Sequence, residues 1–178
     1  MEYRNLFIGL ILPVLLLSCK SNNNTLRIVK EWQGRQVLIP VTVTFKVMGK
    51  DTLCPDILQK PYKILTYIDS TGCIGCQLDL FQWKRLIDSC KVHYPSVSFC
   101  FVIHSTDYSY LTKAVLESDF NYPIIYDRQN EFDKLNHFPL NPLRTFLLNE
   151  ENEIEIIGSP ITNPKIWNLY RQIIEEGK

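Results

Sequence analysis

Tyr62-Lys63-Ile64-Leu65-Thr66-Tyr67-Ile68-Asp69-Ser70-Thr71-Gly72-Cys73-Ile74-Gly75-Cys76 carries the reading that decides the fold. Tyr62–Ile68 is an apolar run that predicts a strand, and Asp69-Ser70-Thr71-Gly72 predicts a loop. Beyond it, Cys76, Leu80, Trp83, Ile87 and Cys90 recur at steps of four, three, four and three. That spacing predicts a helix over Cys76–His93 with one buried stripe, while Lys84, Asp88 and Lys91 lie off it.

A C-x-x-C between a strand and a helix has a physical logic. Cys73 lies beyond the expected helix start, where unpaired N–H groups and the macrodipole favour an anion. The thiolate is the nucleophile. Cys76 falls in the expected first turn, close enough to close a disulfide with Cys73. Heading the buried stripe, Cys76 is the shielded, resolving thiol, and Cys73 the exposed, attacking one. Two alternatives use the same spacing. A zinc ribbon needs a second C-x-x-C or a histidine pair. Here Cys54, Cys90 and Cys100 stand singly and His93, His104 and His137 are scattered, so no metal site is expected. A static structural disulfide is the other alternative, although so short a loop gains little from cross-linking.

Working outward, Val37, Ile39, Val41, Val43, Phe45 and Val47 alternate as in a half-buried strand, interrupted by Pro40. Residues 26–52 therefore read as a β-element with a turn at Gly49-Lys50-Asp51. Val97–Ile103 reads as a central strand covered on both faces. Ser105 or Thr106 is placed to cap a helix reaching about Ser118. Pro123–Tyr126 reads as a short strand and Gln129–His137 as a short helix. Arg144–Leu148 and Ile154–Gly158 read as a hairpin around Glu150-Glu151-Asn152. Asn163-Pro164 opens a last helix with Ile166, Leu169, Tyr170 and Ile173 as its stripe. Strands alternating with helices predict an α/β chain with a largely parallel sheet, to which the hairpin adds antiparallel strands.

The chain has 178 residues, 46% hydrophobic and 21% charged, which fits one packed domain and excludes a disordered chain. Nineteen basic residues balance nineteen acidic ones, so the basic excess of a nucleic-acid binder is missing. Residues 1–18 read as a signal peptide: Arg4 near the start, then the apolar run Leu6–Leu17, too short to span a bilayer comfortably. The run ends in Leu16-Leu17-Ser18-Cys19, which resembles the bacterial lipoprotein box and implies that Cys19 is lipidated and anchors the chain to the bilayer. Residues 19–25 then read as a flexible tether and 26–178 as a single domain. An address of this kind puts the domain outside the cytoplasm, where disulfides persist.

The strand Tyr62–Ile68, the loop ending Gly72-Cys73-Ile74-Gly75-Cys76, the amphipathic helix, the apolar strand, the hairpin Arg144-Thr145-Phe146-Leu147-Leu148-Asn149 and the last helix together resemble the thioredoxin-like fold. The strand and helix near 123–137 are similar to the insertion of its membrane-tethered, envelope-facing members. The resemblance covers about residues 60–176. It implies a central mixed β-sheet flanked by helices, a redox-active Cys73–Cys76 disulfide, and thiol–disulfide exchange on envelope proteins in the periplasm. It also implies reduction by a membrane electron donor, and no cofactor. Gly72, Ile74, Gly75, Pro142 and Leu143 are the matching active-site loop residues.

Three positions depart from the family pattern. Gly72 stands where a tryptophan is usual. The register of the family's cis-proline lands on Leu143, with Pro142 one place earlier. Tyr67 stands where many members carry a buried acid, and Asp69 comes two places later. A non-catalytic binding module of the same fold is therefore the second reading. A thiol peroxidase is the third: Ser70 stands three residues before Cys73, but the proline that precedes the hydroxyl in peroxiredoxins is missing. Copper delivery would need a C-x-x-x-C. Cys90 and Cys100 read as core residues, with a bridge between them as the alternative, and Cys54 as a loop thiol. Trp32, Trp83 and Trp167 read as packing residues, and His104 as a hydrogen-bonded histidine at a strand end.

Overall fold

The computed structural model describes residues 20–41, 43–69, 78–139 and 143–177. Residues 1–18, expected as a signal peptide, Cys19, the C-x-x-C with Gly72, Ile74 and Gly75, and Pro142 lie outside the described residues. The chain divides into two units, residues 1–32 and 33–178. In the first, Lys20–Trp32 forms helix α1, supported by an Arg27–Glu31 ion pair at 3.8 Å. Residues 20–25, expected as tether, thus have helical backbone, and the expected β-element cannot begin at 26. Leu26, Val29 and Trp32, spaced i, i+3, i+6, are the helical pattern that the strand reading passed over.

The second unit contains β1 (Phe45–Val47), β2 (Lys50–Thr52), a 3-10 helix (Pro55–Gln59) and β3 (Tyr62–Ile68). These are followed by α2 (Leu80–His93), β4 (Val97–Ile103), α3 (Ser109–Glu117) and β5 (Ile124–Tyr126). The chain ends with α4 (Glu131–Asn136), β6 (Thr145–Leu148), β7 (Ile154–Ile157) and α5 (Pro164–Glu176). Among the described residues the strands form one sheet in the order β2-β1-β5-β4-β3-β6-β7. β3, β4 and β5 run parallel; β1, β2, β6 and β7 pair antiparallel. This is the mixed α/β sheet flanked by helices that the resemblance implies. It is not the largely parallel sheet that the alternation predicts: among the described strands only β3–β4 and β4–β5 pair in parallel, because β1 and β2 as well as the hairpin join antiparallel.

Alternation along β4 explains the layers. Val97, Phe99, Phe101 and Ile103 join Leu80, Trp83, Ile87 and Cys90 of α2, Leu111 and Val115 of α3, and Tyr170 and Ile174 of α5 in one core. Trp83 lies edge-on to Phe101, centroids 5.2 Å apart. On the other face Tyr67, Phe138 and Phe146 make a chain of ring contacts at 4.9 and 5.6 Å.

The structure corrects several boundaries. Only Phe45–Val47 of the alternating stretch 37–47 is a strand, since Pro40 cannot supply a ladder donor and Val41 is fully exposed. The turn residues are Met48 and Gly49, at φ 51° and 77°, with Lys50 already back in the ladder. Residues 34–37 instead pair with the turn and strand edge at 152–154. Helix α3 starts at Ser109; Asp107 accepts from its N–H, while Ser105 turns back onto Asp107. In α5 the buried positions are Tyr170 and Ile174, and Leu169 is 46% exposed. The Asn163 cap and Pro164 start are as expected, Asn163 Oδ1 accepting from Lys165 N–H at 3.0 Å.

Candidate functional site

Helix α2 begins at Leu80 rather than at Cys76. Asp79 is its N-cap, with Oδ1 accepting the Gln82 N–H at 3.1 Å. Asp79 and Gln82 fit the capping-box spacing, a signal that the continuous four-three periodicity through Cys76 obscured. Placing Cys76 inside the first turn of this helix is therefore not supported. The segment 70–77, with the C-x-x-C, connects the carboxyl end of β3 to this cap.

Around that end of β3 the described side chains are polar and mutually committed. Asp69 pairs with Arg144, their side chains only 14% and 12% exposed. Arg144 Nε also donates to the Pro139 carbonyl at 2.6 Å, and its guanidinium lies 5.4 Å from the Tyr67 ring centre. Tyr67 N–H donates to the Arg144 carbonyl at 2.9 Å, continuing the β3–β6 ladder. Leu143, half-buried, precedes Arg144 directly.

Tyr67 is buried, and its hydroxyl donates to Asn130 Oδ1 at 2.5 Å. Burial first, then the nearby carboxylates of Asp133 and Asp69, push its ionisation far above the ordinary phenol range. It stays a neutral donor and does not replace the buried carboxylate usual at that place. Asn130 sits at φ 57°, a left-handed conformation that asparagine tolerates. The buried Asp127 satisfies the start of α4, its two oxygens accepting from Glu131 and Phe132 N–H at 2.8 and 3.0 Å.

His104, at the end of β4, donates its backbone N–H to the Ile68 carbonyl at 2.8 Å. Its Nδ1 lies 2.8 Å from the Asp127 carbonyl, which only accepts, so Nδ1 carries a proton and donates. The expectation of a hydrogen-bonded histidine is met. Arg144, Asn130, Pro139 and Asp127 were not singled out from sequence. Arg144 was read only as the first residue of a strand, because its partner Asp69 lies 75 positions away.

The remaining cysteines are separate from this region. Cys54, Cys90 and Cys100 are free thiols. Cys90 faces the α2 core, whereas Cys100 alternates with Phe99 and Phe101 and points to the opposite face, so the alternative bridge between them does not form. Burial pushes both thiols up to about 12, opposed at Cys100 by nearby Lys63. Both are inert core residues, as expected from sequence.

No protein-family model and no curated protein matches the chain. Solved structures do. The thioredoxin domain of a thiol-disulfide oxidoreductase from Bacteroides vulgatus superposes with a TM-score of 0.57 at 14% identity, covering 80% of this chain and 97% of that one. A thiol:disulfide interchange protein from Bacteroides sp. gives 0.54 at 14% identity, covering 80% and 90%. A secreted disulfide oxidoreductase from Mycobacterium tuberculosis gives 0.51 at 13% identity, covering 73% and 92%. With its mixed sheet flanked by helices, the chain has the thioredoxin-like fold.

Proposed function

We propose that the chain is a lipid-anchored thiol–disulfide oxidoreductase that acts on envelope proteins through the Cys73–Cys76 couple. The observation that carries this is positional. In a chain of thioredoxin-like fold, β3, paired on both sides, leads at its carboxyl end straight into the segment that contains the C-x-x-C. Cys73 thiolate attacks one sulfur of a partner disulfide, forming a mixed disulfide and expelling the other sulfur as thiolate. Cys76 thiolate then attacks the Cys73 sulfur and expels the second partner thiolate. Two electrons pass to the partner and the chain is left with a Cys73–Cys76 disulfide. A membrane electron donor returns the couple to the dithiol; run in reverse, the same steps oxidise a partner. Cys19 holds the domain at the bilayer, in the periplasm.

The binding-module reading draws on Tyr67, a neutral phenol where many exchange enzymes hold a carboxylate. One experiment separates the two. Cys76→Ser should trap several envelope proteins on Cys73 as reductant-sensitive adducts, and Cys73→Ser should trap few. An empty trap in Cys76→Ser, with folded protein, would leave the module reading standing.

A further inference from the structure

A cleft of about 420 Å³ opens beside the carboxyl end of β5, where β1 pairs with it. Ile125, Tyr126 and Phe132 give it an apolar wall, and Lys46, Arg128 and Glu131 stand along it. Its size falls within the range of small-molecule sites, about 300–1,000 Å³. Its charges are not equivalent. Lys46 is committed: Nζ lies 2.5 Å from Asp51 Oδ1 and 5.6 Å from the centre of the Tyr126 ring. Asp127 is committed too, since its two oxygens accept the Glu131 and Phe132 N–H groups and leave neither donor to a ligand. Arg128 and Glu131 differ. Among the described residues neither side chain makes a hydrogen bond or an ion pair. The Arg128 guanidinium lies over the Tyr108 ring at 5.2 Å, and the exposed Asp107 feels it only at longer range.

A braced turn carries this cation and this anion. The Asn130 N–H closes it on the Asp127 carbonyl at 3.2 Å, and Asn130 takes its left-handed conformation there. The neighbouring strands hold it: the Tyr67 hydroxyl donates to Asn130 Oδ1, and His104 Nδ1 to the Asp127 carbonyl. Tyr108 stacks on Tyr126 with centroids 4.4 Å apart, which fixes the ring beneath Arg128. A backbone already held in place loses little freedom when a ligand arrives. We propose that this cleft binds a short zwitterionic peptide with aliphatic side chains, its carboxylate on Arg128 and its ammonium on Glu131. Opposite charges on one rim select a ligand that carries both. An anion would set its charge against Glu131, and a cation against Arg128. Two extended residues span about 7 Å, the scale of such a turn. The site needs no thiol chemistry and stands whether or not the exchange reading does.

The full-length protein, in detergent, is titrated by calorimetry with leucyl-leucine, with its N-acetyl form and with its amide, each against a micelle blank. The three probes share their side chains and differ only in which terminal charge they keep. Wild type should bind leucyl-leucine about tenfold more tightly than either blocked form. Arg128→Gln should lose the preference over the amide and keep that over the N-acetyl form; Glu131→Gln should do the reverse. The preference each variant keeps shows that its cleft is folded. Absence of binding by wild type at up to about 10 mM, or equal affinity for all three probes, would overturn the proposal. So would a preference that survives in both variants, which puts the peptide elsewhere. Loss of both preferences in either single variant also removes it, since that residue then holds the cleft and not one terminus.

Discussion

Two regions of this molecule differ in what they offer a side chain, and the buried cysteines mark the first. Cys90 and Cys100 are 1% and 2% exposed, on opposite faces of the sheet, with thiols pushed up to about 12. There a thiol is a small hydrophobe. At the carboxyl end of β3 the surroundings are ionic and hydrogen-bonded: Asp69 with Arg144, Tyr67 with Asn130, His104 with Asp127. The first region is closed to chemistry by its packing, and the second holds charged and polar groups that bond one another. That difference lies in three-dimensional surroundings, which sequence spacing encodes only in part.

The sharpest way to break the comparison is to damage the apolar region and ask whether the polar one survives. Trp83 is 1% exposed and packs edge-on against Phe99 and Phe101. Trp83→Ala should cost about 3–5 kcal/mol, read as a lower urea midpoint. A loss under about 1 kcal/mol would mean that the α2–β4 contact does not carry the fold.

A second route is alkaline pH. Unfolded thiols release their protons from about pH 9 upward, whereas folded Cys90 and Cys100 hold theirs to about 12. In that window the unfolded state binds fewer protons, so stability falls as pH rises and is fully present below it. Each tenfold change is worth 1.36 kcal/mol, so the two thiols together should remove roughly 1–3 kcal/mol by pH 10. Urea midpoints measured from pH 7 to 10 should fall less steeply in the Cys90→Ala, Cys100→Ala double variant. Equal slopes would show that the two thiols are not protected by burial. Modification of either residue by iodoacetamide in the folded protein at pH 8 would show the same.

What the sequence made legible was local. Val97–Ile103 has strand periodicity, Leu80–Cys90 helix periodicity, and Asn163-Pro164 a helix start; each signal spans a few residues and each element formed. What was hidden depended on distance or on competition between local signals. The Asp69–Arg144 pair joins positions that no window contains together. Val37 to Val47 alternates correctly, but Pro40 lacks the N–H a ladder needs, and the strand forms only from Phe45. Lys20–Trp32 carries polar asparagines that read as tether, yet Leu26, Val29 and Trp32 share a helical face. The C-x-x-C was legible as a motif, but the helix it was expected to enter starts later.

That last difference yields the smallest effect and a direct test of how the two regions meet. As N-cap, Asp79 accepts from Gln82 N–H and satisfies one of the unpaired donors of α2. Asp79→Ala removes that acceptor and should cost about 1 kcal/mol, while Asp79→Asn and Asp79→Ser, which cap well, should recover most of it. Were the helix to start at Cys76, Asp79 would stand inside its first turn. There Ala is the better helix former, an acid adds only a modest interaction with the macrodipole, and Asn or Ser would do no better than Ala. The ordering of the three variants therefore decides the helix start, independently of the absolute cost. Asn and Ser above Ala places the cap at Asp79 and leaves Cys76 ahead of the helix. Ala equal to or above both returns Cys76 to the first turn, and with it the shielded, resolving position expected from the spacing. Urea midpoints at pH 7, with the Asp79 carboxylate ionised, resolve an ordering of this size.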